Sequence, residues 1–331
     1  MERITLAVAV WVFTAPLVLG MQCEPQRLPP PPDVPPSSFG ISTVTNGQFW
    51  VIGDSKARTW CPGDPFDCAG GAVHVFEWVD GRLEFRQSIV PPDIGFSDDY
   101  GYSIAMDDES LLVSWPGASW PGTEIRGGAA EYAYIDGAWR EIARLVPPGG
   151  LPSPDRYAGL GKFVAYDDGV AVLRPDAAIS ATAFVFERLP GGWSFVEMLT
   201  APDGLPDTAF FGENPTLGDG WLFLSAREDS SIDDRAGSVY AYRRQPDNTF
   251  DFVQKLIAPD PQALGRYGFS VDYDDGTLVV GAFLMGREHP GQGLVFVYGL
   301  EDGRWVLQQE LAHSDADRSD ALGWLVHVDG D

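Results

Sequence analysis

The sequence predicts an all-β protein, a β-propeller of four-stranded antiparallel blades, and three observations lead there. Short β-branched and aromatic runs alternate with Asp-Gly turns along the chain, the pattern of strands joined by tight hairpins. Glycine and proline number 38 and 27 among 331 residues, and no helical periodicity of useful length follows residue 20. Above all, one unit of strands and turns returns about every 57 residues.

In chain order, Met1-Glu2-Arg3 precedes an apolar run from Ile4 to Leu19, broken by Pro16. Its length and flanks predict a secretory signal peptide over residues 1–20, with Val18 and Gly20 as the small residues at −3 and −1. One Arg offset by Glu2 makes a weak n-region, so an uncleaved anchor is the alternative. Residues 21–38 carry Pro29–Pro32 and Pro35-Pro36 and read as a semi-rigid polyproline linker. Cys23, just ahead of that tether, is the candidate for lipidation, in the layout of a bacterial surface lipoprotein. Gln22 stands where a small residue belongs, which makes plain secretion to the extracellular or periplasmic side the first reading.

Residues 39–331 hold the repeats, which start near 39, 100, 160, 211, 267 and 322. Each opens on an aromatic or leucine followed by glycine: Phe39-Gly40, Tyr100-Gly101, Leu160-Gly161, Phe211-Gly212, Tyr267-Gly268 and Leu322-Gly323. Six residues after each glycine comes an Asp, Asn or Gly turn, closing the first hairpin. The second strand is apolar: Trp50–Gly53, Leu111–Ser114, Val170–Leu173, Trp221–Leu224 and Leu278–Gly281. The third begins near a small residue and alternates, as in Gly71–Phe76, Gly128–Tyr134, Ala183–Phe186, Gly237–Tyr242 and Gly293–Tyr298. The fourth carries two apolar anchors six residues apart: Leu83 and Ile89, Trp139 and Leu145, Trp193 and Leu199, Phe250 and Leu256, Trp305 and Leu311. An even offset predicts that both anchors share one strand face, packed on the adjoining blade.

Five complete units and the first strand of a sixth therefore predict blades, each too small to bury both faces alone. The pattern aromatic-Gly-x-Ser-Val, then Leu-Val-Val-Gly-Ala, then Gly-x-Val-x-Val-Tyr resembles the FG-GAP repeat of integrin α-subunit propellers and of many bacterial secreted proteins. Tyr267–Leu311 matches best and Tyr100–Leu145 nearly as well. Repeats three and four keep Gly161 and Gly212 but lose the Ser-Val that follows. The resemblance implies a seven-bladed ring, so the chain is expected to form an incomplete one, as a fragment of a longer product. A five-bladed ring with a stray end is the alternative.

The same resemblance implies calcium as a candidate cofactor, bound by alternating carboxylates in a loop. Asp272-Tyr-Asp274-Asp275-Gly276 coincides with the hairpin turn that every repeat has, and is read as a turn. Asp315, Asp317 and Asp320 have the better spacing and are the candidate calcium ligands.

The formal charge of −26 argues against nucleic-acid binding, since no Lys/Arg cluster offsets the repulsion from phosphates. Cys61 and Cys68 bracket a turn-prone hexapeptide and predict a short-loop disulfide in an oxidising compartment; a zinc site would need more ligands than His74 supplies. No Gly-x-Ser-x-Gly or phosphate-cradling glycine loop is present, and the four histidines fall at unrelated repeat positions, so the chain is read as a non-enzyme. Trp139, Trp193 and Trp305 recur at one blade position and are read as inter-blade core. Trp60, Trp115 and Trp120 lie in or beside loops joining strands two and three, where propellers place ligand contacts. They are the candidate binding residues for a protein or carbohydrate partner. The expected function is a secreted or surface-tethered binding, adhesion or scaffold module without a transmembrane domain. A channel-mouth enzyme and a calcium-stabilised scaffold are the alternatives.

Overall fold

A computed structural model describes residues 38–328 except 60–68, 108, 123–125, 147–148, 150–157, 177–180, 288, 290 and 314–319, together with positions 28 and 31. Among the described residues, twenty strands form five antiparallel four-stranded sheets in sequence order. Blade one is β1 (Thr43–Thr45), β2 (Phe49–Asp54), β3 (Ala72–Val79) and β4 (Arg82–Ile89); blade two is β5 (Ile104–Met106), β6 (Ser110–Ser114), β7 (Ala129–Ile135) and β8 (Ala138–Leu145). Blade three is β9 (Phe163–Asp167), β10 (Val170–Arg174), β11 (Thr182–Leu189) and β12 (Gly192–Thr200). Blade four is β13 (Glu213–Gly218), β14 (Trp221–Ala226), β15 (Ser238–Arg244) and β16 (Phe250–Leu256); blade five is β17 (Ser270–Asp274), β18 (Thr277–Ala282), β19 (Leu294–Glu301) and β20 (Arg304–Leu311). The innermost strands lie side by side in the order β1-β5-β9-β13-β17.

The opening glycine of each repeat has a steric cause. Gly101 and Gly268 sit at φ +79° and +86°, where an L side chain is strained. A Cβ on Gly101 would also lie 2.7 Å from Val73 Cγ2, and one on Gly268 2.8 Å from Val239 Cγ2. The glycine thus lets each blade press against the third strand of the blade before it. The preceding aromatic or leucine fixes that approach through a backbone bridge: Gly71 with Tyr100, Gly127 with Leu160, Gly237 with Tyr267 and Gly293 with Leu322. The start of the sixth repeat docks in the same place. Beyond that bridge, Val326 and Val328 donate their backbone N–H groups to Ser270 Oγ and Asp272 Oδ2, beside β17.

One expectation is corrected. Each pairing of a third with a fourth strand carries a bulge, at Val75/Phe76, Glu131/Tyr132, Val185/Phe186, Ala241/Tyr242 and Val297/Tyr298. Trp139 lies opposite Tyr134 and Leu145 opposite Ala129, residues five apart on β7 and so on opposite faces. The extra residue of the bulge converts the even offset into an odd one. Each fourth strand therefore sends one anchor backward and one forward. Trp139 meets Phe49 of blade one at a ring separation of 5.6 Å, while Leu145 joins Leu160, Leu173 and Phe184 of the next interface. Trp305 likewise packs 5.2 Å from both Trp221 and Phe223 of blade four. Leu311, its forward partner, is 40% exposed, whereas Leu145 and Leu256 are buried. The core is thus a series of inter-blade layers, which is why no blade stands alone.

Candidate functional site

Of the residues the sequence singled out, Cys23, Trp60, Cys61, Cys68, Asp315 and Asp317 lie outside the described residues. Asp320 is described and precedes the Leu322 bridge. Among the described residues no group of three or more His, Cys, Asp or Glu is arranged to hold a metal ion.

Trp115 and Trp120 do come together, but not as an exposed stacking platform. Both are buried, and their rings meet edge to face at 5.3 Å. The Trp115 indole donates to Asp98 Oδ2 at 2.8 Å and the Trp120 indole to the Gly127 carbonyl at 2.7 Å. The Arg144 guanidinium lies 5.1 and 5.3 Å from the two ring centres. A second edge of Arg144 holds Asp93, keeping that carboxyl below the usual carboxylate range, chiefly through the hydrogen bond. With donors and faces occupied, the two indoles form a wall.

That wall backs a cleft of about 160 Å³ whose rim carries Asp93, Phe96, Asp98 and Arg126. Phe96 is 70% exposed. Its loop is held from within: Asp98 Oδ2 accepts the Gly95 N–H at 2.7 Å as well as the Trp115 indole, and the Asp98 carbonyl accepts the Gly117 N–H at 2.8 Å. Ser97 and Asp99, on either side, take φ of +57° and +56°. Sequence reading missed Phe96 and Asp98 because they belong to the connection from strand four to the next strand one. Antiparallel order brings that connection to the same blade end as the strand two-to-three loop, a signal available once the four-strand tile is accepted. A wider groove of about 460 Å³ lies between β8 and the β11–β12 hairpin, bounded by Arg144, Arg188 and Trp193.

A second cluster follows the opening glycines of repeats two to five. Lys162 Nζ stands 3.7 Å from the Tyr102 ring centre, and Tyr102 meets Phe163 at 5.9 Å. The Arg174 guanidinium lies between Phe163 and Phe210 at 6.0 and 5.6 Å; that of Arg227 lies between Phe210 and Phe269 at 5.0 and 5.3 Å. Cations and aromatic rings thus alternate across the inner edges of blades two to five. Glu213 faces Arg227, its Oε2 being 2.5 Å from Nε. Burial pushes the Glu213 carboxyl up, against the pull of Arg227 and Arg174, and burial pushes Arg174 down. Repeats three and four place Lys162-Phe163 and Glu213-Asn214 where the motif has an apolar or aromatic residue and serine. The loss of Ser-Val was the signal in the sequence.

Fold and repeated inter-blade contacts define the class, a propeller-type array of four-stranded blades. Residues 250–298 match the FG-GAP repeat family, spanning β16 to the middle of β19 and thus straddling two blades. No curated protein matches the sequence. Among solved structures, a protein from Lactobacillus plantarum is similar at 13% identity and a TM-score of 0.50, over 82% of this chain and 71% of that one. A functionally unknown protein from Desulfotomaculum acetoxidans is similar at 12% identity and a TM-score of 0.50, over 86% and 74%. These likenesses concern the fold. Among the described residues no helix is long and apolar enough to cross a membrane.

Proposed function

We propose that this chain is a non-catalytic binding module, secreted or surface-tethered, whose loop end of blades one and two takes a carbohydrate. The exposed Phe96 ring, on a loop pinned through the buried Asp98, carries this reading. Burying a phenyl ring contributes about 1.5–3 kcal/mol. A loop already held by its own hydrogen bonds gives up little further freedom on binding, so that contribution is largely retained. Asp93 and Arg126 at the rim supply the acceptor and donor that sugar hydroxyls require, while the cleft beside the ring has room for one small cyclic group. The leader-like residues 1–20 and the FG-GAP repeat support an extracellular setting.

The test is a glycan array probed with the full chain and with Phe96→Ala, followed by titration of any hit with tryptophan fluorescence as readout. The expected result is a glycan whose binding weakens at least tenfold in the variant. Equal binding by both proteins, or no glycan bound at all, would overturn the assignment.

A further inference from the structure

The cation–aromatic cluster contains a second site, independent of the loop cleft. We propose that the inner edge of blades three and four binds an oxyanion, a carboxylate or phosphate group, on the guanidinium of Arg174. Arg174 ends β10 and is 1% exposed, among the largest fully buried side chains of the protein. Its stem crosses the opening glycine of blade four, with Cγ 3.3 Å from where a Gly212 Cβ would stand. Among the described residues its side chain donates no hydrogen bond and forms no ion pair, Glu213 and Asp176 acting on its charge only from farther off, and Nε and Nη2 are both buried without a partner. A buried, unpaired charge is among the costliest arrangements a fold can keep.

Nε and Nη2 form one edge of the guanidinium, whose two parallel N–H bonds match the two oxygens of a carboxylate or phosphate. Among the described residues, Arg144 and Arg287 use that edge on both oxygens of one carboxylate. Arg144 grips Glu141 with Nε to Oε1 at 2.5 Å and Nη2 to Oε2 at 3.1 Å. Arg287 grips Glu310 in the same way, with Nε to Oε1 at 2.7 Å. On Arg174 the guanidinium lies between two rings, and among the described residues no carboxylate meets that edge. The neighbouring cations differ. Arg227 has Glu213, Arg266 has Glu228, and Lys162 has Asp99 and Asp176.

Phe210 stacks on both Arg174 and Arg227 and takes φ +57°, a strained conformation for an aromatic residue, just after the short 3-10 turn Asp207–Ala209. It is the side chain that must shift to admit an anion. The net charge of −26 repels anions at long range, so selection rests on contact geometry instead of steering.

Sodium acetate and sodium phosphate are to be titrated into the full chain at constant ionic strength, with chloride as control, by calorimetry and thermal unfolding. Acetate, phosphate or both should bind and raise the melting temperature where chloride does not. Arg174→Met should lose at least tenfold in affinity, and Arg174→Lys, which keeps the charge but not the fork, should lose part of it. Phe210→Ala should bind at least as tightly as the parent, and Phe96→Ala should bind unchanged. No oxyanion-specific binding by the parent, full binding by Arg174→Met or by Arg174→Lys, weakened binding in Phe210→Ala, or weakened binding in Phe96→Ala would each overturn the proposal.

Discussion

Blades two and five are built to the repeat; blades three and four depart from it, and the departures converge on one junction. In blades two and five the opening tyrosine reaches a tyrosine of the third strand, Tyr100 to Tyr132 at 2.8 Å and Tyr267 to Tyr298 at 2.7 Å between hydroxyls. The serine two residues after the glycine then ties each blade to the next segment. Ser103 Oγ accepts the Val164 N–H at 3.2 Å, and Ser270 Oγ the Val326 N–H at 3.0 Å. Blade four keeps such a tie with different chemistry, Asn214 Nδ2 donating to the Phe269 carbonyl at 2.6 Å. Blade three has Phe163 there, a side chain that cannot hydrogen-bond at all, and the junction of blades three and four is where Arg174 and Glu213 are buried. A lost structural hydrogen bond and a gained buried charge at one place suggest a role beyond holding blades together.

The comparison can be broken at its tryptophans first. Trp305→Ala should cost about 3–5 kcal/mol, since its ring is buried against two aromatic neighbours. Trp193→Ala, at the same repeat position in blade three but only half-buried, should cost less than half as much, read from urea unfolding midpoints. Equal losses would mean that the degenerate blade is packed as firmly as the regular one.

Alanine at the opening glycines should come next. Gly268→Ala forces both a left-handed φ and contacts of 2.8 and 2.9 Å with blade four, for a loss of about 3 kcal/mol. At Gly212 the same Cβ meets its neighbours at 3.2–3.3 Å, so Gly212→Ala should cost about 1–2 kcal/mol, mostly from φ.

A smaller effect belongs to the tyrosine pairs. Tyr298→Phe leaves the Tyr267 hydroxyl buried without a partner and should cost about 1–3 kcal/mol, while Tyr267→Phe with Tyr298→Phe should cost less than that single change. The pair also sets an alkaline limit. Burial pushes the hydroxyls of Tyr267 and Tyr298 above the ordinary tyrosine value of 10.0, so the folded state keeps protons that the unfolded chain releases. Their contribution is complete below pH 10 and falls as pH rises above it, by about 1.4 kcal/mol per pH unit for each tyrosine. The double phenylalanine variant should lose stability less steeply from pH 10 upward. An unchanged slope would show that the pair does not govern alkaline unfolding.

Much of this was readable in the chain. Tyr267-Gly268 and its relatives marked every blade boundary, because a glycine at positive φ in close contact with backbone leaves few alternatives. Trp139 and Trp305 were recognisable as core from recurrence alone. The site was less legible. Trp115 and Trp120 were found together, yet their burial depends on Asp98 and Arg144, 17 and 29 positions from Trp115 along the chain. Phe96 carried no motif of its own. Arg174 was hidden in an apolar strand, and only the missing Ser-Val of its repeat hinted that its surroundings differ.

Local periodicity and turn chemistry by themselves determined the four-stranded tile, its copies and its boundaries, because these depend on residues close in sequence. Only the tertiary structure decided which way each anchor faces, since a single bulged residue reverses the parity of a strand. It alone also showed that Arg174 is buried with no ion pair among the described residues. Pairing between charges depends on distances across blades, and a linear sequence does not record them.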